Sequence, residues 1–220
     1  MSTVLPPRLK NWLRHGTWRW MSPVRRSRND YATHIPILIG LARYWTIRSV
    51  LELGSGYYST ATFLHPKAFP HLEVLHSYET DSKWATRLKN FVNDSRAKMQ
   101  LVAPPMASAL SDINLTDYDL IFVDDSATEH DRVTTIRALT RRQLESLVVI
   151  HDFEVPSYIE VARAFRHRYA FKAFNPETGV LWQDDAGHRD ALREIDAVIK
   201  RHARRVGPDD VEAWVELFSQ

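Results

Sequence analysis

The chain has 220 residues, of which 44% are hydrophobic and 25% charged, a balance typical of one globular domain. It contains no cysteine, which excludes disulfides, thiolate zinc sites and cysteine nucleophiles. No run approaches the roughly 20 apolar residues of a membrane span, and no apolar segment of a secretory signal follows the basic N-terminus. We therefore expect a cytoplasmic protein.

Residues 1–30 form a basic, tryptophan-rich arm ahead of a domain that we place at residues 31–220. Up to Asn29 the chain has no acidic residue. This charge suits an anionic acceptor, nucleic acid or peripheral contact with a membrane surface. We favour a solvated helix whose tryptophans pack on the domain, and we do not favour nucleic acid because no RNA-binding module follows. The cations and tryptophans of the arm are Arg8, Lys10, Trp12, Arg14, Trp18, Arg19, Trp20, Arg25, Arg26 and Arg28.

Helices and strands alternate along the rest of the chain. Such alternation predicts a parallel sheet with helices on both faces, and the apolar runs LIFV and LVVI are typical of central parallel strands. The predicted fold class is α/β, a Rossmann-like, doubly wound, mostly parallel seven-stranded sheet. The predicted helices are 31–46, 59–68, 82–93, 128–144 and 156–167, and the predicted strands are 49–53, 73–79, 98–102, 119–124, 147–152, 169–175 and 179–184.

The segment VLELGSGYYST, residues 50–60, predicts a ligand site at the end of the first strand. Gly54 and Gly56 allow a tight turn and the close approach of a ligand to the backbone, and the helix that follows offers unpaired N–H groups. The next strand ends in Glu79, whose carboxylate can accept hydrogen bonds from both hydroxyls of a ribose. Together these features predict a site for a cofactor that carries a nucleoside.

The dinucleotide fingerprint G-x-G-x-x-G is incomplete in this segment. Its third glycine is replaced by Ser59, and Glu52, two residues before the first glycine, is not part of that pattern. A nicotinamide-dependent oxidoreductase is therefore a less favoured alternative.

The residues VLELGSG resemble the first motif, E/D-x-G-x-G, of the class I S-adenosylmethionine-dependent methyltransferases. The runs YYST, SYETDSKWATRL and YDLIFVDDS…HDRVTTIRAL resemble a subgroup of that family in which G-S-G-Y-S-T opens the site. The resemblance covers roughly residues 31–183 and depends on the ordered set Glu79, Trp84, Asp124 and Arg132. It implies a Rossmann-like fold and methyl transfer from S-adenosylmethionine.

The resemblance also implies which residues bind this cofactor. Glu52 would lie near the methionine amino group, often through water, and Gly54, Ser55 and Gly56 would line the methionine and the ribose. Glu79 would hold the ribose hydroxyls.

For the remaining positions the resemblance is only partial. It implies that Thr80 lies beside the adenine and that Asp124 faces the sulfonium and the acceptor. The segment VAPPMASAL, residues 102–110, lacks the family's adenine-side acid. Trp84 and His34 are predicted to pack in the core, although His34 is also within reach of an acceptor pocket.

Acidic residues and a histidine follow two strands that we expect to be neighbours. Asp124 ends one strand, and His151 and Asp152 end the next, so the three should meet at one edge of the sheet. His151 suits the role of catalytic base, because its unperturbed pKa is near 6.5. A divalent metal such as Mg²⁺ on Asp124 and Asp152 is the alternative, and plain solvated or helix-capping carboxylates are a third.

Metal-dependent catechol-type methyltransferases, which this region resembles, place one acid after the fourth strand and an Asp-Asn pair after the fifth. Phe153 stands where the asparagine would be, so we favour metal-free catalysis by His151, Asp124 and Asp152. The predicted activity is methyl transfer from S-adenosylmethionine to an oxygen or nitrogen of a small-molecule acceptor, with oxygen favoured. The alternative is a non-enzymatic, methyltransferase-like partner subunit, and the oligomeric state stays open.

Overall fold

The structure is a computed structural model that describes residues 29–125, 128–142, 144–184 and 187–220. All of the predicted basic arm except Asn29 and Asp30 lies outside the described residues. The prediction for its tryptophans therefore stays a prediction.

In the described part of the chain, seven strands form one sheet in the order β3-β2-β1-β4-β5-β7-β6. The neighbours β1 to β5 pair in parallel, whereas β7 runs antiparallel to both β5 and β6. This confirms the predicted α/β class with its mostly parallel seven-stranded sheet. The strands are β1 Ser49–Leu53, β2 Val74–Glu79, β3 Ala97–Leu101, β4 Leu120–Val123, β5 Leu147–His151, β6 His167–Phe171 and β7 Thr178–Trp182.

Helices cover both faces of this sheet, and short 3₁₀ turns occur at Asp30–Ala32 and Leu115–Asp117. No helix in the described part of the chain has the length and apolarity needed to cross a membrane. The α-helices described are α1 Ile35–Tyr44, α2 Ser59–Leu64, α3 Ser82–Lys89, α4 Met106–Ala109, α5 Glu129–Thr140, α6 Pro156–Ala162, α7 His188–His202 and α8 Val211–Phe218.

The core is divided into two layers by the sheet, because successive side chains of a strand point to opposite faces. On β4, Leu120 and Phe122 join the layer that contains α1, α2, α7 and α8. Ile121 and Val123 join the opposite layer, which contains α5 and α6. Every residue of β4 and β5 is buried, as the apolar runs predicted.

Helix ends were predicted less well than the strands. The predicted helix 59–68 ends at Leu64, two residues before Pro66, since a residue that precedes proline is disfavoured in the helical conformation. Helix 31–46 begins only at Ile35, with Pro36 in its first turn, where no backbone N–H is needed. The C-terminal helices α7 and α8 were not predicted.

Candidate active site

The C-terminal ends of four neighbouring parallel strands bring the predicted site residues together. The strands β2, β1, β4 and β5 lie side by side. Glu79 ends β2, Gly54 follows β1, Asp124 follows β4 and His151 ends β5. Residues 54–56 are called the glycine loop below. In open α/β sheets this edge is where ligands bind.

Gly54 packs against the backbone that leaves β4. Its φ is 90°, a left-handed conformation that favours glycine, and its N–H donates to the carbonyl of Tyr78 at 2.9 Å. A Cβ at this position would lie 2.1 Å from the carbonyl oxygen of Asp124. At Gly56 a Cβ would meet only the end of a short side chain, Ser59 Oγ at 2.6 Å. The missing side chain of Gly54 therefore allows the glycine loop to pack against the backbone that follows β4.

Glu52 is fully buried behind the glycine loop. Its carboxylate accepts hydrogen bonds from Thr60 Oγ1 at 2.8 and 3.0 Å and from the hydroxyl of Ser77. Burial raises the pKa of Glu52 to about 7, although hydrogen bonds from Ser59, Ser77, Thr60 and the Gly56 backbone oppose the rise. In this way the acid connects the end of β1 to the first turn of α2 and to β2.

Glu79 is held by the backbone that follows it. Its Oε1 accepts the N–H groups of Thr80 at 2.7 Å and Asp81 at 2.9 Å. Burial raises the pKa of Glu79, and backbone hydrogen bonds from Asp81, Thr80 and Ser55 oppose that rise. A carboxylate offers about four lone-pair sites, so the side chain keeps capacity for further donors such as ribose hydroxyls.

Trp84 on α3 fixes the glycine loop from the side. Its Nε1 donates to the carbonyl of Ser55 at 2.5 Å, and its ring packs edge-on against Tyr57 with centroids 4.8 Å apart. Asp81 places the tryptophan by capping α3, since its carboxylate accepts the N–H of Trp84 at 3.0 Å. Trp84 is half-buried and packs on the glycine loop, so the prediction that it packs in the core is wrong.

Asp124, His151 and Asp152 form the second half of the site and are called the acid rim below. One ligand-capable atom from each lies within 4.8 Å of the others. His151 Nδ1 is 3.5 Å from Asp124 Oδ2 and 3.4 Å from Asp152 Oδ1. The carboxylates are about a third exposed, at 30% and 32%, whereas the imidazole is only 4% exposed. The acids therefore face solvent and the histidine lies behind them.

The other ring nitrogen of His151 meets a residue that the sequence did not single out. Nε2 lies 3.0 Å from the hydroxyl oxygen of Thr33, which is buried just before α1. With Nδ1 carrying a proton between the two carboxylates, Nε2 is the acceptor for that hydroxyl. Thr33 also lines a narrow cleft together with Ile37, Phe174 and Thr178. Its hydroxyl is therefore the hydrogen-bond partner of His151 on the side away from the two carboxylates.

His34 packs behind His151 and does not open towards the rim. Its ring contacts His151 edge-on and Phe122 at a tilt, with centroids 4.8 Å apart in both cases. In the described residues neither of its ring nitrogens has a hydrogen-bond partner. Burial, reinforced by the charge of His151, lowers the pKa of His34 to about 3. His34 is therefore a neutral core residue, in agreement with the packing prediction.

Arg132 on α5 connects the two acids of the rim. Its guanidinium donates to Asp124 Oδ1 through Nη2 and to Asp152 Oδ2 through Nη1, each at 2.7 Å. A third acid, the fully buried Asp125, lies 3.8 Å from its Nε and accepts a hydrogen bond from Thr135 at 2.5 Å. The sequence marked Arg132 as part of a motif, but its role as a bridge is visible only in the structure.

The pKa values of Asp124 and His151 are shifted in opposite directions by their surroundings. Burial raises the pKa of Asp124, but its hydrogen bond to His151 and the charges of His151 and Arg132 outweigh burial and lower it overall. For His151, burial lowers the pKa, whereas Asp124 and Asp152 raise it more, so the net pKa is above its ordinary value. Asp124 is a weak proton acceptor, and His151 is the stronger base of the rim.

Two residues near the rim point elsewhere. Phe153 is 4% exposed and packs on β7, where a Cβ on Gly179 would lie 2.4 Å from its ring. Glu154 accepts the backbone N–H of Glu177 at 2.8 Å and so holds the connection before β7. Neither residue supplies a ligand atom to the rim. The backbone of Asp152 has a left-handed φ of 57°, and there the chain turns away from the rim.

Comparison with known proteins identifies the class of fold. The human methyltransferase-like protein 13 in complex with SAH superposes with a TM-score of 0.51 at 15% identity, over 86% of this chain and 93% of that one. The cofactor-bound MTB protein Rv0187 gives 0.54 at 17%, over 83% and 92%. SAH-bound PaMTH1 from Podospora anserina gives 0.51 at 18%, over 82% and 89%. No family model and no curated protein matches the sequence.

These likenesses, with the strand order of the sheet, show that the chain has the fold of the class I S-adenosylmethionine-dependent methyltransferases. At such low identity they establish the fold alone, because one fold hosts many activities. The activity depends on the residues of the site.

Proposed function

We propose that the protein transfers a methyl group from S-adenosylmethionine to an oxygen of a small-molecule acceptor. The observation that carries the proposal is the contact between the glycine loop and the acid rim. Gly54 and Asp124 touch through their backbones, so a molecule bound along the loop would have one end beside the exposed carboxylates of the rim. Enzymes of this class need that adjacency of cofactor and acceptor, because orientation supplies much of their rate.

The residues around the loop fit a nucleoside-bearing cofactor. Glu79 presents a carboxylate with spare acceptor capacity, as a ribose diol requires. Ser55 and Gly56 would line the ribose and methionine, Thr80 would lie beside the adenine, and buried Glu52 would act on the amino group indirectly, through water. When bound, S-adenosylmethionine would supply an activated methyl group, whose bond to the positively charged sulfur breaks as the acceptor atom bonds to the methyl carbon.

The acid rim suits an acceptor that must lose a proton. A hydroxyl becomes a good nucleophile only when a base removes its proton, whereas a neutral amine already carries a lone pair, and this favours oxygen. His151 is the stronger base of the rim, and the carboxylates of Asp124 and Asp152 lie next to its Nδ1. The acids orient the imidazole and stabilise its charged form, as acids do in other histidine-based catalysts.

Thr33 is proposed as the proton relay between the acceptor and His151. Thr33 Oγ1 lies 3.0 Å from Nε2 of His151, so an acceptor hydroxyl that donates to Thr33 would be connected to the base by one hydrogen bond. As the acceptor O–H bond breaks, Thr33 takes that proton and passes its own to Nε2. The proton would end on Nε2, which leaves an imidazolium beside the two carboxylates. The acceptor oxygen would carry the methyl group, and S-adenosylhomocysteine would be the leaving group.

Cofactor binding is tested by calorimetric titration with S-adenosylhomocysteine, NAD and NADP. We expect saturable binding of S-adenosylhomocysteine alone, and ligand at 100 times its Kd should add about 2.7 kcal/mol of stability. Stabilisation by NAD without S-adenosylhomocysteine would instead support an oxidoreductase.

Methyl transfer is tested separately, by measuring S-adenosylhomocysteine formation from S-adenosylmethionine in the presence of a panel of phenols, catechols, sugars and amines. Turnover with hydroxyl acceptors supports the proposal, and mass spectrometry of the product locates the methyl group. Cofactor binding without turnover on any acceptor would favour the non-enzymatic alternative, and turnover on amines alone would overturn the assignment to oxygen.

A further inference from the structure

We infer that Arg132 is the resident cation of the acid rim and occupies the carboxylate oxygens that a divalent metal ion would need. In metal-dependent members of this fold family, acids at the ends of the fourth and fifth strands hold the ion. Here the equivalent acids, Asp124 and Asp152, are engaged by a guanidinium. The inference concerns metal binding and does not depend on methyl transfer being found.

The guanidinium of Arg132 bridges the two acids of the rim through hydrogen bonds. Its two terminal nitrogens each lie 2.7 Å from an oxygen of a different acid, Asp124 Oδ1 and Asp152 Oδ2. This is the normal length of a charge-assisted hydrogen bond. The carbonyl oxygen of His151 also lies 3.5 Å from Nη1.

The remaining oxygens of the two acids are also engaged. Asp124 Oδ2 and Asp152 Oδ1 both face His151 Nδ1, at 3.5 and 3.4 Å. The side chains of the rim and Arg132 therefore form a closed ring in which each acid lies between two nitrogen-bearing groups. An ion that binds both carboxylates would compete with the guanidinium for Asp124 Oδ1 and Asp152 Oδ2.

Arg132 is also held so that it cannot swing aside. Its side chain is 5% exposed, its Cζ lies 5.5 Å from the centre of the Tyr158 ring, and Asp125 is 3.8 Å from its Nε. Displacing the guanidinium from Asp124 and Asp152 would leave a buried charge with fewer partners, which is strongly unfavourable. An incoming ion competes with this arrangement.

Without the arginine, the same residues fit a metal. Asp124, His151 and Asp152 offer three ligand atoms within 4.8 Å of one another. Two carboxylates with an imidazole suit first-row transition ions, whereas Phe153 offers no ligand. Removal of Arg132 should therefore expose a metal site that the native chain keeps closed.

The test is titration of the folded protein with Mn²⁺. Binding is measured by calorimetry and by the change in melting temperature. Arg132→Met keeps an apolar stem of similar length under Tyr158 and removes the guanidinium. We expect this variant to bind Mn²⁺ about tenfold or more tightly than the native protein, because two charge-assisted hydrogen bonds no longer compete. The native melting temperature should not change on addition of EDTA or Mn²⁺.

Matched variants identify the ligands. Arg137→Ala removes an exposed arginine from the same helix and should leave Mn²⁺ binding as in the native protein. Asp152→Asn added to Arg132→Met should abolish the gained binding. Native protein that binds Mn²⁺ as tightly as Arg132→Met would overturn the inference. If Arg132→Met does not fold, comparison of the native protein with Asp152→Asn decides: no Mn²⁺ binding by either supports the inference, and binding lost in Asp152→Asn overturns it.

Discussion

Gly54 approaches Asp124 so closely that a Cβ on the glycine would lie 2.1 Å from the aspartate's carbonyl oxygen. The contact joins the turn after β1 to the turn after β4, and so it joins the two halves of the candidate site. The contact requires a glycine, because a side chain would not fit and because residues other than glycine rarely adopt the φ of 90° that Gly54 has.

We expect Gly54→Ala to destabilise the fold by at least about 2 kcal/mol, because it adds strain at a left-handed φ and a clash with backbone that cannot rotate away. Urea unfolding would measure this change. Gly187→Ala is the matched control, since a Cβ at Gly187 meets no atom within 4 Å. Equal stability of the two variants would show that the β1 turn relaxes freely.

The role of Glu79 is tested by Glu79→Gln. The amide oxygen of glutamine can still accept the N–H groups of Thr80 and Asp81, so the local backbone should hold, but the charge is lost. Hydrogen bonds to a charged group are worth roughly 1.5–3 kcal/mol, and the Kd for S-adenosylhomocysteine should rise about tenfold or more.

Calorimetric titration measures this affinity. The exposed Glu73, which pairs with Arg48 far from the site, supplies the control Glu73→Gln, which should bind as the native protein does. An unchanged Kd for Glu79→Gln, with the fold intact, would remove Glu79 from the ribose site.

The two glutamates and the aspartates of the site were predictable because strand ends are predictable. Buried strands such as LIFV appear in the sequence as apolar runs. The residues that follow parallel strands all lie at the C-terminal edge of the sheet. The amphipathic spacing of Leu192, Ile195 and Ile199, which is typical of a buried helix face, also lies in the sequence of α7. That helix was predictable and was missed.

Contacts between residues far apart in the chain could not be predicted in the same way. Thr33 and His151 are 118 positions apart, and nothing in the segment around Thr33 distinguishes it from any buried threonine. Arg132 was visible as part of a motif, but an arginine on a helix is usually solvated. Its bridging of two acids depends on the packing of α5 against the ends of β4 and β5, which no local pattern encodes.

The buried acid Glu52 should make the stability depend on pH. Burial raises its pKa to about 7 in the folded protein, against about 4.3 in an unfolded chain. Between these values the folded state holds a proton that the unfolded chain has released, so the stability falls as the pH rises through this window. Above about pH 7 the loss is complete.

Glu52→Gln has no proton to release, and its melting temperature relative to the native protein should therefore rise between about pH 5 and about pH 7. Thermal unfolding at a series of pH values measures the difference. Glu145→Gln, at an exposed position, should show no such trend. A constant difference between Glu52→Gln and the native protein would mean that Glu52 does not titrate in this range.

The proposed proton path makes Thr33 a test of the chemistry. Thr33→Val keeps the shape of the side chain but removes the hydroxyl that faces His151 Nε2, and Thr33→Ser keeps the hydroxyl. Positioned proton transfer contributes about 10²-fold or more, so kcat for a hydroxyl acceptor should fall by about that factor in the valine variant and recover in the serine variant. His151 acts as a base only when it is neutral, and Asp124 and Asp152 raise its pKa above the ordinary value despite burial. The rate of the native protein should therefore increase with pH, and the midpoint of this increase should lie above about pH 6.5. If Thr33→Val retains full kcat and the same pH profile, the acceptor passes its proton to another group, and the contact between Thr33 and His151 serves packing alone.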